Sequence, residues 1–242
     1  MLHLIQRFSL LFSLRTGSSY LQTAFMNHPN MFCSNESRWM QTRQKSNEKV
    51  HHVPAISKIT HSGVKVPLTP AIIIAAFPTF RWPLSWAHLA KNPLSIRQAE
   101  SPFKQHFWRN NIFKKPILIC TRDPLRSYIS WQLVQKNQNK WSHRPYDQPV
   151  RINIKAAARF VAHTNKMLQP FLETQGQILI LKYEDGVKVN YRKALKFLGV
   201  PYQPPQTDYI QQTTKPLYDL VINYNELKKS TAGKFSAANL LD

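Results

Sequence analysis

The stretch PILICTRDPLRSYIS, residues 116–130, carries the clearest structural signal in the chain. The unbroken apolar run at residues 117–120 is typical of a strand buried on both faces of a parallel sheet. Pro124 stands where helices commonly begin, and residues 125–135 can continue as a helix. A strand that turns directly into a helix predicts an α/β fold.

The segments on either side repeat this alternation. Residues 71–77 and 177–183 are further apolar, β-branched runs that predict strands. Residues 153–173 carry apolar side chains at helical spacing, and a shorter helix over 191–198 is closed by a glycine. We therefore predict a three-layer α/β domain over residues 70–242, with a parallel sheet and helices on both faces.

The charge of the chain is strongly one-sided. It has 242 residues with 33 Lys and Arg against 12 Asp and Glu, which gives a formal net charge of +21. Self-repulsion at this level destabilises a compact chain unless a polyanion neutralises it. The two polyanions that this charge favours are a nucleic acid and an anionic membrane surface.

The cysteines exclude two kinds of site. Cys33 and Cys120 are the only two, and they are far apart in the sequence. This spacing argues against a disulfide framework, and without a Cys-x-x-Cys pair it predicts no zinc site. We expect no bound metal.

The N-terminal third has a different composition from the rest. Residues 1–35 contain no acid, are rich in Leu, Phe and Ser, and include Arg7 and Arg15. This composition predicts a mitochondrial leader or a retained N-terminal helix, with a secretory signal or Golgi anchor as the rival. The apolar run is too short to span a bilayer. Residues 36–69 predict a basic, extended arm, and the protein is expected in the mitochondrial matrix.

The turn after residues 117–121 offers groups that bind phosphate. Arg122 would present its guanidinium at the end of a strand, and Ser130 would present a hydroxyl two turns into the next helix. Such a pair beside a helix N-terminus can hold a phosphate. A purely structural role for the same two side chains remains open, because Arg122 can bind loop carbonyls and Ser130 can bond within its helix.

Residues 122–130 resemble the 3′-phosphate-binding motif of sulfotransferases, an Arg-Asn/Asp-Pro turn followed by a Ser. Residues 181–185 and 194–199 are similar to the strand, acidic turn and helix end of that family, and residues 228–235 to its basic glycine loop. The resemblance implies a sulfotransferase-like P-loop fold that binds 3′-phosphoadenosine 5′-phosphosulfate (PAPS). It also implies that Lys229, Gly233 and Lys234 close over this donor.

One sequence pattern of that family is missing after the predicted strand 71–77. The family's 5′-phosphosulfate loop has the pattern Phe/Tyr-Pro-Lys/Arg-Ser-Gly-Thr-Thr. Here Phe77 and Pro78 are followed by residues 79–85, which lack glycine and contain a tryptophan and a proline. Backbone amides cannot curl around a phosphate in such a segment, so we predict a broken donor loop. The resemblance would make His106 the catalytic base if the protein were active.

These observations lead to two principal hypotheses. The first is a non-catalytic, RNA-contacting subunit of a mitochondrial assembly. The mitoribosome is the preferred assembly, and ribosomal RNA and neighbouring mitoribosomal proteins would be the partners. The alternative is an active PAPS-dependent sulfotransferase that acts on a hydroxyl or amine acceptor. A peripheral subunit of an inner-membrane complex, bound to anionic lipid, is a third.

The first hypothesis expects no cofactor, although PAPS, its desulfonated product PAP or another nucleotide would fit at Arg122. It relies on basic residues that interleave with aromatic ones, because Lys and Arg neutralise phosphates while aromatic rings stack on bases. The candidate RNA-binding residues are Lys104, Arg109, Lys114, Lys115, Lys136, Lys140 and Arg144.

Overall fold

The computed structural model describes residues 5–13, 15–34, 59–67, 115–136, 148–172, 177–207 and 216–231. Within them lies a five-stranded sheet in which every pair of neighbouring strands is parallel. Its strands are β1 (Gln6–Phe12), β2 (Met31–Ser34), β3 (His61–Pro67), β4 (Ile117–Thr121) and β5 (Ile178–Lys182), in the spatial order β2-β3-β1-β4-β5. The predicted α/β class with a parallel sheet is confirmed.

Helices follow the strands as the alternation predicted. They are α1 (Ser18–Met26), α2 (Pro124–Lys136), α3 (Ile154–Leu172), α4 (Val187–Leu198), α5 (Leu217–Leu220) and α6 (Tyr224–Thr231), with a 3₁₀ turn at Tyr183–Asp185. The elements predicted at 116–136 and 153–183 are confirmed within one or two residues. Helix α4 begins four residues earlier than predicted and ends at Gly199, whose φ of 70° is left-handed. The predicted strand 71–77 lies outside the described residues.

The sheet begins at residue 6 and not near residue 70, which corrects the predicted start of the domain. The segment predicted as a leader or terminal helix contains β1, the central strand, together with α1 and β2. The segment predicted as an extended arm contains β3. Phe8, Leu10 and Leu11 are almost completely buried on the two faces of β1. An acid-free, Leu- and Ser-rich composition suits a buried parallel strand as well as a leader, and burial is what separates the two.

The described residues belong to two compact units. The first contains the sheet, α1 and α4. At the centre of its core the Phe25 ring lies 5.6 Å from the Phe8 ring and 5.8 Å from the Tyr191 ring, measured between ring centres. Gly63 of β3 lies directly beside Phe8, and a Cβ at this position would overlap the phenyl ring. Any side chain at residue 63 would therefore displace the core aromatic ring.

The second unit contains Arg15 and Thr16, α2, α3 as far as Lys166, α5 and α6. Its core joins α2 and α3 to the C-terminal helices through apolar side chains such as Leu133, Val161 and Leu227. Asn223 fixes the chain before α3, because its side chain accepts from the Ile152 N–H at 2.9 Å and donates to the Ile152 carbonyl at 3.0 Å. This unit carries the predicted phosphate-binding motif.

Candidate phosphate-binding site

The sheet brings the ends of two strands together. Strands β1 and β4 are neighbours, and Phe12 at the end of β1 pairs with Cys120 near the end of β4. The segment SLRTGSS, residues 13–19, follows β1, and Arg122 and Asp123 follow β4. Ligands of parallel sheets bind beyond the carboxyl ends of the strands. Each of these two segments begins at such an end, so each lies where a ligand-binding residue is expected.

Gly17 makes the turn from β1 into α1. Its φ of 75° is left-handed, and it is the residue before the first helical residue, Ser18. A Cβ at this position would lie 2.9 Å from the Tyr183 ring and 3.1 Å from a methyl of Val187. Both the conformation and the space therefore require glycine. The turn also leaves the first N–H groups of α1 without partners inside the helix, as at every helix start, where they favour anions.

A buried ammonium group lies beside this helix start. Lys65 of β3 is 6% exposed, and its Nζ donates to Oγ of Ser19 at 3.1 Å. The same Nζ lies 4.6 Å from the centre of the Phe12 ring. Lysine is rarely buried to this extent unless its charge is compensated, because removing that charge from water is costly. Lys65 thus places its amino group at the first turn of α1.

In the second unit, Arg15 contacts both members of the predicted phosphate-binding pair. Its Nε donates to Oγ of Ser130 at 3.2 Å, and Arg122 Nη1 donates to the carbonyl of Arg15 at 3.3 Å. Ser130 is 2% exposed, and Arg15 has a φ of 60°, unusual for a residue with a side chain. Two guanidinium groups and a hydroxyl thus form one connected cluster, which we call the Arg15 cluster (Arg15, Arg122 and Ser130). Guanidinium and hydroxyl donors of this kind can bind a phosphate.

The start of α2 orients that cluster. Asp123 caps the helix, because its Oδ1 accepts from the Arg126 N–H at 2.7 Å and its carbonyl accepts from the Ser127 N–H at 2.9 Å. Pro124 occupies the first helical position, as predicted. The hydroxyl of Ser127, one turn before Ser130, is 1% exposed and has no hydrogen-bond partner among the described residues. Buried hydroxyls are normally satisfied, so Ser127 is a further potential donor on the face of α2 that carries Ser130.

Three other predicted site residues are described, and none of them joins the cluster. Lys229 is exposed on α6, so the first part of the predicted glycine loop is helical. Lys136 ends α2 and donates to the Pro149 carbonyl at 2.6 Å. Lys115 is partly buried before β4, where burial, and then the charge of Arg7, lowers its pKa.

The remaining predicted residues lie outside the described ranges. They are the proposed base His106, the loop residues Gly233 and Lys234, and the RNA-binding candidates Lys104, Arg109, Lys114, Lys140 and Arg144. The glycine-free segment 79–85 also lies outside these ranges.

Sequence reasoning missed Arg15, Gly17, Ser19 and Lys65. The first three had a readable signal, because residues 15–19 are Arg-Thr-Gly-Ser-Ser and follow an apolar run. This order of a basic residue, a hydroxyl, a glycine and two hydroxyls is the order in the sulfotransferase loop pattern Lys/Arg-Ser-Gly-Thr-Thr. The prediction of a broken loop took residues 71–77 as the first strand, whereas the sheet has three strands before residue 68. Lys65 had no sequence signal.

The two cysteines do not act as nucleophiles in this arrangement. Cys33 and Cys120 are both buried and free, and burial raises the pKa of each thiol to about 12, although the nearby charge of Lys65 opposes this shift. A thiol with this pKa stays protonated and unreactive at neutral pH. No group of three His, Cys, Asp or Glu side chains within the described ranges could hold a metal ion.

Comparison with known proteins finds no matching family model and no matching curated relative. Over the described part of the chain, none of the helices combines the length and the apolar character needed to cross a bilayer.

Proposed function

We propose that the protein is a PAPS-dependent sulfotransferase that transfers sulfonate to a hydroxyl or amine acceptor. The observation that carries the proposal is the Arg15 cluster, because it connects two segments that each match a donor-binding motif of that family. Arg15 begins the match to the 5′-phosphosulfate loop, and Arg122 and Ser130 are the matched residues of the 3′-phosphate motif.

The 3′-phosphate of the donor would bind at Arg122 and Ser130. A phosphate dianion there would replace the Arg15 carbonyl as the acceptor for Arg122, and it would take the Ser130 hydroxyl as a second donor. Both side chains are held before the ligand arrives, since Asp123 and Pro124 fix the start of α2. Groups that are held in advance lose little freedom on binding, which favours affinity.

On the family resemblance, the 5′-phosphosulfate would bind at residues 17–19 of the first unit. The left-handed turn at Gly17 exposes the first N–H groups of α1, and Ser19 and Lys65 add a hydroxyl and an ammonium group at the same helix start. The acceptor oxygen or nitrogen would attack the sulfur while the bond from sulfur to the 5′-phosphate oxygen breaks, and PAP would leave with that electron pair. The charge that develops on the leaving oxygen is what these donors would stabilise.

The acceptor must also lose a proton. On the family resemblance this proton would pass to His106, which lies outside the described residues. Neither buried cysteine serves this purpose, because both thiols hold their own protons at neutral pH.

The test is sulfonate transfer by the full chain, measured with sulfur-labelled PAPS and a panel of hydroxyl and amine acceptors. We expect transfer by the wild type and a loss of about 10- to 100-fold in donor affinity in Arg122→Gln, since a charged hydrogen-bond partner is removed. Arg192→Gln is the matched control, because it removes an arginine of α4 whose partner is the Tyr202 ring. Absence of both transfer and donor binding in the wild type would reject the proposal.

A non-catalytic RNA-contacting subunit of a mitochondrial assembly remains the second candidate, favoured by the net charge of +21. Sedimentation of the endogenous protein with a large particle, lost on RNase treatment, together with no sulfonate transfer, would favour it. Sedimentation as a free chain would favour the enzyme.

A further inference from the structure

Helix α3 carries a row of exposed basic side chains that the donor site does not use. Lys155, Arg159 and Lys166 are all exposed, and we call them the α3 basic row. At 3.6 residues per turn they fall within a sector of about 40° on the helix, and about 16 Å of helix separates the first from the last. Ala157, Val161 and Thr164 are buried on the opposite side, so the row faces away from the core.

The α3 basic row has no opposite charge on its own segment. Residues 148–172 contain no Asp or Glu, and the first turn of α3 has no acidic residue. Lys155 is the second residue of the helix, where a positive charge opposes the helix dipole. Burial, and then the charge of Lys166, lowers the pKa of His163, so a further basic group lies near the row.

Helix α4 shows how a basic surface is compensated within the same chain. Lys193 forms an ion pair with Asp185 at 2.7 Å, and Arg192 lies 5.0 Å from the centre of the Tyr202 ring. Lys188 and Lys196 of α4 are exposed like the residues of the α3 basic row. Two of the four exposed cations of α4 thus have a partner on the chain, whereas the segment 148–172 that carries the α3 basic row contains no acidic residue. A row of like charges of this kind favours a polyanionic ligand.

We propose that the α3 basic row binds the phosphate backbone of a nucleic acid. The phosphates of one strand recur about every 3.4 Å along the axis of a duplex, so a protein helix parallel to that axis spans roughly five of them over about 16 Å. The exposed residues between Arg159 and Lys166 include Ala162 and Asn165, which are small enough for a strand to lie along the row. No aromatic side chain is in the row to stack on a base, so recognition is independent of sequence.

The same surface does not suit an anionic membrane. A helix that lies on a bilayer inserts Trp, Phe or Leu side chains beside its basic ones. On α3 the apolar side chains Val161, Met167 and Phe171 are buried, and Ile154, Phe160 and Leu168 are partly buried. None of these six lies in the row, which Ala162 and Asn165 border. Only the positive charges of the row could therefore bind a membrane, without any apolar side chain to insert into it.

The experiment compares two triple variants of the full chain by fluorescence anisotropy with labelled 20-bp RNA and DNA duplexes over a range of KCl. Lys155→Gln, Arg159→Gln and Lys166→Gln remove the α3 basic row. Lys188→Gln, Arg192→Gln and Lys196→Gln remove the same charge from α4. With a contribution of about 0.9 per phosphate contact, we expect the α3 variant to reduce the slope of log affinity against log salt by about 2 to 3. The α4 variant should keep the wild-type slope.

Three outcomes would overturn the proposal: no duplex binding by the wild type, an unchanged slope in the α3 variant, or equal losses in both variants, which would indicate an effect of net charge alone. Loss of binding to anionic vesicles or a sulfated polysaccharide, with duplex binding intact, would assign the row to those partners. A difference between the RNA and DNA arms identifies the natural duplex. Unchanged melting and PAP binding show that the variants are folded, and they keep this result separate from the donor site.

Discussion

The two strand-to-helix junctions of the candidate site are built in different ways. After β1, Gly17 turns the chain in a left-handed conformation, and no side chain caps α1. After β4, Asp123 caps α2 with its carboxylate, and Pro124 fixes the first helical residue. The first junction depends on backbone conformation and the second on side chains. Substitutions should therefore affect them differently, and the second is far easier to recognise in a sequence.

Of the substitutions at the two junctions, Gly17→Ala should give the larger loss of stability. The new Cβ would contact Tyr183 and Val187 in a backbone conformation that side chains avoid, so we expect about 1 to 3 kcal/mol of destabilisation. Urea unfolding measures it. Gly199→Ala is the control, because Gly199 also has a φ of 70° but a Cβ added there would meet no atom within 4 Å. A cost no larger than that of the control would show that Gly17 is needed for its conformation alone.

Asp123→Ala should cost less, about 1 kcal/mol, since it removes the cap of α2 and leaves the Arg126 N–H without its partner. Donor affinity should fall as well, because Ser130 lies on the same helix. Asp123→Asn is the control, as asparagine also caps helices. Urea unfolding and titration with PAP measure the two effects. Equal stability of the Ala and Asn variants would contradict the role of the cap.

Two histidines near the amino ends of β2 and β3, His28 and His61, should make the stability of the fold depend on pH. His28 accepts from the Asn30 N–H at its Nδ1 and donates from Nε2 to the Pro201 carbonyl, which requires the neutral ring. Burial lowers the pKa of His28, and burial together with the charge of His28 lowers that of His61. Both rings therefore bind a proton less readily in the folded state than in the unfolded state.

The sign follows from these lowered values. Stability is fully present above the unfolded pKa of about 6.5, and it is lost as the pH falls below that value toward the folded pKa, by at most about 1.4 kcal/mol per pH unit for each ring. Urea unfolding between about pH 7.5 and 5.5, which brackets the unfolded pKa, measures the loss. His28→Gln should flatten the dependence, and an unchanged profile in that variant would contradict this assignment.

The difference between the junctions also explains which elements could be predicted from the sequence. The apolar run before Arg122 and the proline after it identified β4 and α2. β1 has an equally apolar run, but Arg7 and Arg15 and the lack of acids suggested a leader. β3 contains Gly63 and Lys65, which weaken the strand pattern, and their places beside Phe8 and Ser19 depend on tertiary packing.

Two residues of the candidate site could be predicted from the sequence, but the contact that joins them to Arg15 could not. Arg122 and Ser130 lie in one short motif, whereas the hydrogen bond from Arg15 to Ser130 joins residues 115 positions apart. No local pattern reports a contact at that separation. The proposed phosphate-binding pair was therefore visible in the sequence, as was the Arg-Thr-Gly-Ser-Ser order at residues 15–19, but the contact between the two segments was not.

Isothermal titration of the full chain decides whether the Arg15 cluster binds the 3′-phosphate of a nucleotide donor. PAP is compared with adenosine 5′-phosphate, in the wild type and in Arg122→Gln. We predict that the wild type binds PAP about 10- to 100-fold more tightly than adenosine 5′-phosphate, and that Arg122→Gln removes most of this difference. Equal affinity of the wild type for the two nucleotides, or a preference unchanged in Arg122→Gln, would show that the cluster does not bind this phosphate.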